Sequence, residues 1–247
     1  MLKNIKRFLK RQKSKKQFYQ DYLILKKQQE DTFKRFDFNE QEFYPCLDDN
    51  TTLTGFDRHY VYHPAWAMQI VKKINPKKHI DISSSLHFCA NLSAFIPVDF
   101  YDFRPAKLAL ENLNSLEGNL LALPFKSNSV DSISCMHTIE HIGLGRYGDP
   151  LDYDGDIKAI GELKRVLAIN GNLLFVTPLG AKNRICFNAH RIYTKKLVLE
   201  LFSDLELVEF TLIPENEEDG GLVTNPSDEL LNKQMYGCGC FWFKKIK

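Results

Sequence analysis

No stretch of the 247-residue chain approaches the roughly 18 consecutive apolar residues of a membrane-spanning helix. The first residues are highly charged and lack the apolar core of about 7–15 residues that marks a secretory leader, so a cytoplasmic protein is expected. The spaced-glycine fingerprint of dinucleotide sites is missing, which argues against nicotinamide or flavin binding. No two cysteines have the two-residue gap of a zinc or redox pair. Cys238 and Cys240 are one residue apart, and Cys46, Cys89, Cys135 and Cys186 stand alone, reading as small core residues. Neither a disulfide framework nor a zinc knuckle is expected. A hydrophobic share of 44% with 26% charged residues is ordinary for a globular chain, and the length allows one large α/β domain or two small ones.

The formal net charge of +2 conceals an uneven distribution. Residues 1–35 hold 12 Lys and Arg against 3 Asp and Glu, a balance of +9, which leaves 21 basic against 28 acidic residues in the rest. The pattern is a basic arm on an acidic body. Ile5, Phe8 and Leu9 are spaced for an amphipathic helix with a cationic face. Two readings follow: a solvated helix packed on the domain by one side, or a docking element for anionic lipid at the inner membrane face or for a partner. Nucleic-acid binding has no accompanying stacking platform or motif. The expected organisation is a helical arm over 1–35 and one domain over 36–247.

After an irregular segment, Pro64 sits where it would open a helix that Asn75-Pro76 stops. Tyr60, Tyr62, His63 and Trp66 in or beside it are equally suited to a core or to a ligand. Strands are expected at 78–82, 96–101, 130–136, 171–178, 205–212 and 240–245, and helices at 86–95, 106–113, 156–169 and 195–201. Asn170-Gly171 is read as the cap after the helix ending near 169. Alternation of strands and helices means a doubly wound, mainly parallel sheet with right-handed crossovers. A long polar loop without an evident helix joins the last two strands, which fits an antiparallel hairpin.

In such sheets the first strand-to-helix turn meets the cofactor, and an acidic residue ending the second strand takes a pair of ribose hydroxyls. Here these are Asp81 to Ser85, including Ser83 and Ser84, and Asp102. The strand ending near Cys135 opens into polar sequence punctuated by Gly143, Gly145, Gly148 and Gly155 and carrying His137, Glu140, His141, Arg146, Tyr147, Asp149, Asp152, Asp154 and Asp156. An imidazole titrating near neutrality suits a general base. His137, His141 and His190 are the candidates, with His141 favoured and Glu140 able to orient one of them. Each could equally be a satisfied buried histidine. Arg146 and Arg191 could hold a phosphate or carboxylate in bidentate fashion, or pair with the nearby aspartates. Those aspartates with His141 also invite a divalent cation, but Gly148-Asp149-Pro150 is turn chemistry and Asp154 or Asp156 can cap a helix. No metal is assigned.

The order Asp81-Ile82, Asp102, Asn119-(x)3-Leu123-Pro124-Phe125-(x)5-Asp131, His141 and Gly171 resembles the class I S-adenosylmethionine-dependent methyltransferases. More narrowly, the run from Glu140 to Asp152 and the segment Asn188-Ala189-His190-Arg191 resemble the DUF268 family of methyltransferase-like proteins, with the likeness spanning roughly 60–200. The resemblance implies a seven-stranded sheet with an antiparallel last strand and S-adenosylmethionine as cofactor. It places Asp81, Ser83, Ser84 and Ser85 at the methionine part, Asp102 at the ribose, Asn119 and Leu120 beside the adenine, and His137 near the sulfonium. The polar stretch then becomes the acceptor side, with Arg146, Tyr147, Asp149, Asn188 and Arg191 as substrate contacts. One departure stands out: Ser83-Ser84-Ser85 replaces a turn that is usually glycine-containing, and glycine is what allows positive φ and close backbone approach.

The expectation is a methyltransferase acting on a hydroxyl or amine of a small polar or phosphorylated metabolite, sugar-related, in surface-glycan or capsule assembly. The rivals are a binding protein that kept the fold without methyl transfer, and a metal-assisted hydrolase using His141 and the aspartates.

Overall fold

The computed structural model describes residues 2–30 and 32–247. Residues 1 and 31, both within the expected basic arm, lie outside the described residues. The chain divides into two compact units that meet between Phe56 and Asp57. In the first, helix α1 (Leu2–Glu30) carries the cationic segment. Tyr22 is its one well-buried aromatic, with the rings of Phe43 and Phe38 at 4.7 and 5.0 Å. Residues 36–43 therefore fold with α1.

The second unit begins with α2 (Arg58–Ile74), followed by β1 (His79–Ile82), α3 (Leu86–Ser93), β2 (Val98–Asp102), β3 (Leu113–Glu117) and β4 (Val130–Met136). It continues through α4 (Gly155–Val166), β5 (Leu167–Leu179), the short pair β6 (Arg184–Cys186) and β7 (His190–Ile192), and α5 (Lys195–Leu201). It ends with β8 (Glu206–Ile213), β9 (Val223–Thr224), α6 (Asp228–Lys233) and β10 (Gly237–Lys244). The main sheet has eight strands in the order β3-β2-β1-β4-β5-β10-β8-β9. β1 to β5 run parallel, and β10 is antiparallel to both β5 and β8. The expected seven-stranded sheet with its antiparallel last strand is present, and the two-residue β9 extends its edge.

All four residues of β1 are buried, as a parallel strand covered on both faces requires. On one face Ile160 and Leu163 of α4 and Val198 of α5 pack against Ile133, Leu173 and Phe175. On the other, Trp66, Ala67 and Ile70 of α2 and Phe88 and Leu92 of α3 pack against Val98, Leu174 and Val176. The interior strands thus carry apolar side chains on both faces.

Four local expectations are corrected. Helix α2 starts six residues before Pro64, because Asp57 caps it by accepting from Tyr60 N; Pro64 is tolerated mid-helix since His59, His63, Trp66, Ala67 and Ile70 share one buried face. No helix forms over 106–113: Leu108 and Leu110 are exposed, Asn112 turns the chain at φ 61°, and Leu113 starts β3. α4 ends at Val166, and Asn170, at φ 65°, takes the left-handed position within β5; Gly171 is required by close approach to Ala168 O and Val130 O. Finally, the polar loop before the last strand contains α6, capped by Ser227.

Candidate active site

The C-terminal ends of β1, β2 and β4 converge on a cavity of about 320 Å³ lined by Ser83, Asp102, Asn119, Leu120, His137, His141, Tyr147 and Asp149, together with Phe103, Arg104 and Thr138. This is where open parallel sheets hold ligands. Expected residues from three separate chain segments therefore meet around one space.

The first turn keeps glycine-like geometry without glycine. Ser83 stands at φ 55°, its N–H and hydroxyl both donating to Tyr101 O. A left-handed non-glycine residue costs about 1–2 kcal/mol. It is held by Thr138, whose hydroxyl donates to Ser83 O, and by Ser84, whose Oγ accepts from Met136 N. Ser84 and Ser85 tie β1 to β4 and open α3 and do not line the cavity.

Asp81 also lies beneath the cavity rather than in it. It accepts from Ser84 N and from the Ser134 hydroxyl, and burial pushes its carboxyl up to about 6. Ser134 in turn accepts from His79 Nε2–H, and the Ser132 hydroxyl donates to His79 Nδ1. Burial holds that imidazole neutral, down at about 3. The expected methionine-side contact of Asp81 is thus replaced by a support role: its carboxylate anchors a buried relay under the turn. Asp102 borders the cavity, with one carboxylate oxygen accepting from Arg104 N. Asn119 forms a turn by accepting from Leu121 N, and Leu120 is buried beneath it.

On the opposite wall His137 occupies φ 56° at the end of β4, a backbone conformation that needs a tight surround. Its Nδ1–H donates to Glu140 Oε1 at 2.9 Å, and its Nε2 lies 3.4 Å from Cys238 Sγ. Both ring nitrogens are engaged, and burial lowers its pKa to about 4, so it is no free base. His141 is different. Its Nδ1–H donates to Ala189 O at 2.6 Å, which leaves Nε2 as the acceptor, 3.8 Å from Glu140 Oε1. Glu140 is fully buried, which raises its carboxyl to about 7, and its Oε2 has no partner among the described residues. His190 packs on Tyr236 at 5.0 Å and lies 6.5 Å from the His141 ring, outside the cavity lining.

The polar loop is braced from within. Arg191, 6% exposed, donates to Ile142 O at 2.6 Å and Tyr153 O at 3.0 Å, and pairs with Asp156 at 3.6 Å. Its expected substrate role is replaced by this clamp. Asp149 likewise spends its oxygens on Gly143 N and Tyr147 N. Asp152 pairs with Lys158, and Asp156 accepts from Tyr193. The aspartates therefore do not converge on a cation, against the hydrolase reading. Asn188 is exposed in the β6–β7 turn, away from the cavity. Gly143, at φ 79°, is obligatory because a Cβ there would lie 2.1 Å from Asp152 O. Arg146 donates to Ala189 O and, with Arg104, flanks the Tyr147 ring at 5.1 and 4.8 Å.

Sequence reasoning missed Arg104, His59, Tyr236 and Cys238. His59 carried a usable signal, since it stands four residues from His63 on one helical face. Cys238, 179 to 101 residues from its neighbours here, carried none.

This architecture is that of the Rossmann-like class I methyltransferases. The 1,6-didemethyltoxoflavin-N1-methyltransferase of Burkholderia thailandensis, solved with 1,6-didemethyltoxoflavin and S-adenosylhomocysteine, superposes with a TM-score of 0.56 at 13% identity over 76% of this chain and 80% of that one. The N-methyltransferase NodS of Bradyrhizobium japonicum, solved with S-adenosylhomocysteine, gives 0.52 at 15% identity over 82% and 92%. At such identities the likeness is one of fold. Residues 113–233 match the family described as Caenorhabditis protein of unknown function, DUF268. An uncharacterized protein of Methanocaldococcus jannaschii is 30% identical over 101 residues, covering 40% of this chain and only 38% of that relative's length.

Proposed function

We propose that the protein transfers a methyl group from S-adenosylmethionine to a hydroxyl or amine of a small polar metabolite held between the cofactor wall and the polar loop. The observation that carries this reading is the single cavity that joins Ser83, Asp102, Asn119 and Leu120 to His141 and Tyr147. The residues fit the cofactor: Ser83 retains the left-handed turn, and Asp102 ends β2 at the cavity, where its carboxylate would accept from two vicinal ribose hydroxyls. When bound, the cofactor supplies an electrophilic methyl group on a sulfonium.

The chain supplies position and a proton acceptor. His141 Nε2 is the base, because its other nitrogen is fixed by Ala189 O and it lines the cavity. Tyr147 and Arg104, both lining the cavity, offer a ring and a guanidinium group to an acceptor that carries a phosphate or carboxylate, while Arg146 packs on the Tyr147 ring and donates to Ala189 O. That chemistry supports a sugar-type or phosphorylated acceptor. The glycan setting rests on the resemblance of the 140–152 segment.

Isothermal calorimetry with S-adenosylhomocysteine tests the reading. Wild-type protein is expected to bind, and Asp102→Ala to lose roughly 10- to 100-fold in affinity, the worth of a charged hydrogen-bond pair. No heat at millimolar ligand would overturn it.

A further inference from the structure

The wall behind His137 is built from more chemistry than methyl transfer uses. His59 stacks on the His137 ring at 5.2 Å, and Tyr236 stacks on His59 at 5.1 Å. His63 meets His137 edge-on at 5.1 Å. His59 and His63 come from α2, His137 from the end of β4 and Cys238 from β10, so three elements deliver their donors to one point. None of these residues is more than 9% exposed.

We propose that His59, His137 and Cys238 form a binding site for a divalent transition-metal ion of the zinc class. One ligand atom from each lies within 4.8 Å of the other two. Tetrahedral zinc with bonds of about 2.0 Å to nitrogen and 2.3 Å to sulfur sets those ligand atoms about 3.5 Å apart. Cys238 Sγ and His137 Nε2 are already 3.4 Å apart. Closing the set requires an approach by His59, whose imidazole lies between the rings of His137 and Tyr236 and also hydrogen-bonds the Tyr236 backbone.

Two further observations point to an ion. His137 donates Nδ1–H to Glu140, which leaves Nε2 turned to Cys238; a carboxylate behind a histidine in this way is the usual support of a metal ligand. Around it, His63 Nε2 and Glu140 Oε2 are buried acceptors with no donor among the described residues, although His63 Nδ1 is satisfied by His59 O. Such orphans are rare in a packed interior and call for an occupant. Two imidazoles and one thiolate select zinc, cobalt or copper over magnesium and calcium, which prefer oxygen. Three protein ligands leave a fourth position, and His137 also lines the cavity, so that position adjoins the ligand space.

The inference does not depend on the methyltransferase reading, since metal binding is measured without cofactor or acceptor. Full-length protein stripped with a chelator is titrated with Co2+, followed by Zn2+ competition and elemental analysis after desalting. The expected result is one ion per chain, the visible bands of tetrahedral cobalt and a near-ultraviolet thiolate-to-cobalt band. Cys238→Ser should abolish the thiolate band, whereas Cys46→Ser, at an exposed cysteine, should keep it. His59→Ala, a second variant that keeps the thiol in place, should weaken binding at least 100-fold. Glu140→Gln should weaken it roughly 10- to 100-fold while keeping the spectrum. Absence of the thiolate band in wild type, or binding unchanged in His59→Ala, would overturn the site and leave the Cys238–His137 contact as a hydrogen bond alone.

Discussion

The two walls of the cavity are held in place by opposite means. The wall proposed for the cofactor is a set of strand ends, and its support is local to the sheet: Asp81, Ser134 and His79 form one buried relay between adjacent β1 and β4. The facing polar loop has no strand of its own. It is fastened by Arg191, which reaches it from β7, and by glycines that allow its turns. A wall made from sheet topology comes with the fold, while a wall made from a loop has to be tied down residue by residue.

Cutting the strongest tie gives the largest expected effect. Arg191→Ala removes the cation beside buried Asp156 and frees three loop carbonyls, and should lower unfolding free energy by about 3–5 kcal/mol in urea titrations. The folded protein should still bind S-adenosylhomocysteine as wild type does. A loss below about 1 kcal/mol would mean that the loop is held elsewhere. Gly143→Ala places a Cβ against Asp152 O at positive φ and should cost about 2–3 kcal/mol by the same measurement.

The cofactor wall is probed through pH. The Asp81 carboxyl is raised to about 6 in the fold against an ordinary 3.8, so the native state binds that proton more tightly than the unfolded chain does. Its ionised form opposes folding above pH 6, and the opposition is relieved as pH falls toward 4. His79 has the reverse sign. Held at about 3 against 6.5, it costs stability progressively as pH falls below 6.5. The two compensate in the same window, with no other charged group in the Ser132–His79–Ser134–Asp81 chain. Asp81→Asn removes the relief, so between pH 6.5 and 4.5 the stability difference should move about 2 kcal/mol in favour of wild type. A difference independent of pH would contradict the relay. The smallest expected effect is at Ser83. Ser83→Gly releases left-handed strain and should add up to about 1 kcal/mol, with S-adenosylhomocysteine affinity equal or higher. Weaker binding would show that the serine hydroxyl itself touches the ligand.

The same contrast explains what could be read before the fold was known. Strands such as 79–82 and 130–136 announce themselves as short β-branched segments between turn signals, and Asp102 follows from the position of its strand. The helix mistaken at 106–113 had helical spacing but no surface to bury, which only tertiary packing decides. In the loop, residue types were visible but their partners were not. Arg191 looked like a substrate contact because carbonyls 38 to 49 residues away leave no local pattern, and Asp149 because the folding of its own loop onto it, through Gly143 N and Tyr147 N, is not visible in residue types. Cys238 stands in the sequence only as a cysteine without the gap of a zinc or redox pair; its burial and its place beside His137 emerge only once β10 inserts next to β5.

The central claim is that one cavity has a cofactor wall and an acceptor wall facing each other. A crystal structure with S-adenosylhomocysteine measures this directly. The account predicts both ribose hydroxyls within hydrogen-bond distance of Asp102 and the thioether sulfur turned toward His141 across the cavity. Ligand density elsewhere, or a sulfur turned away from the polar loop, would contradict it.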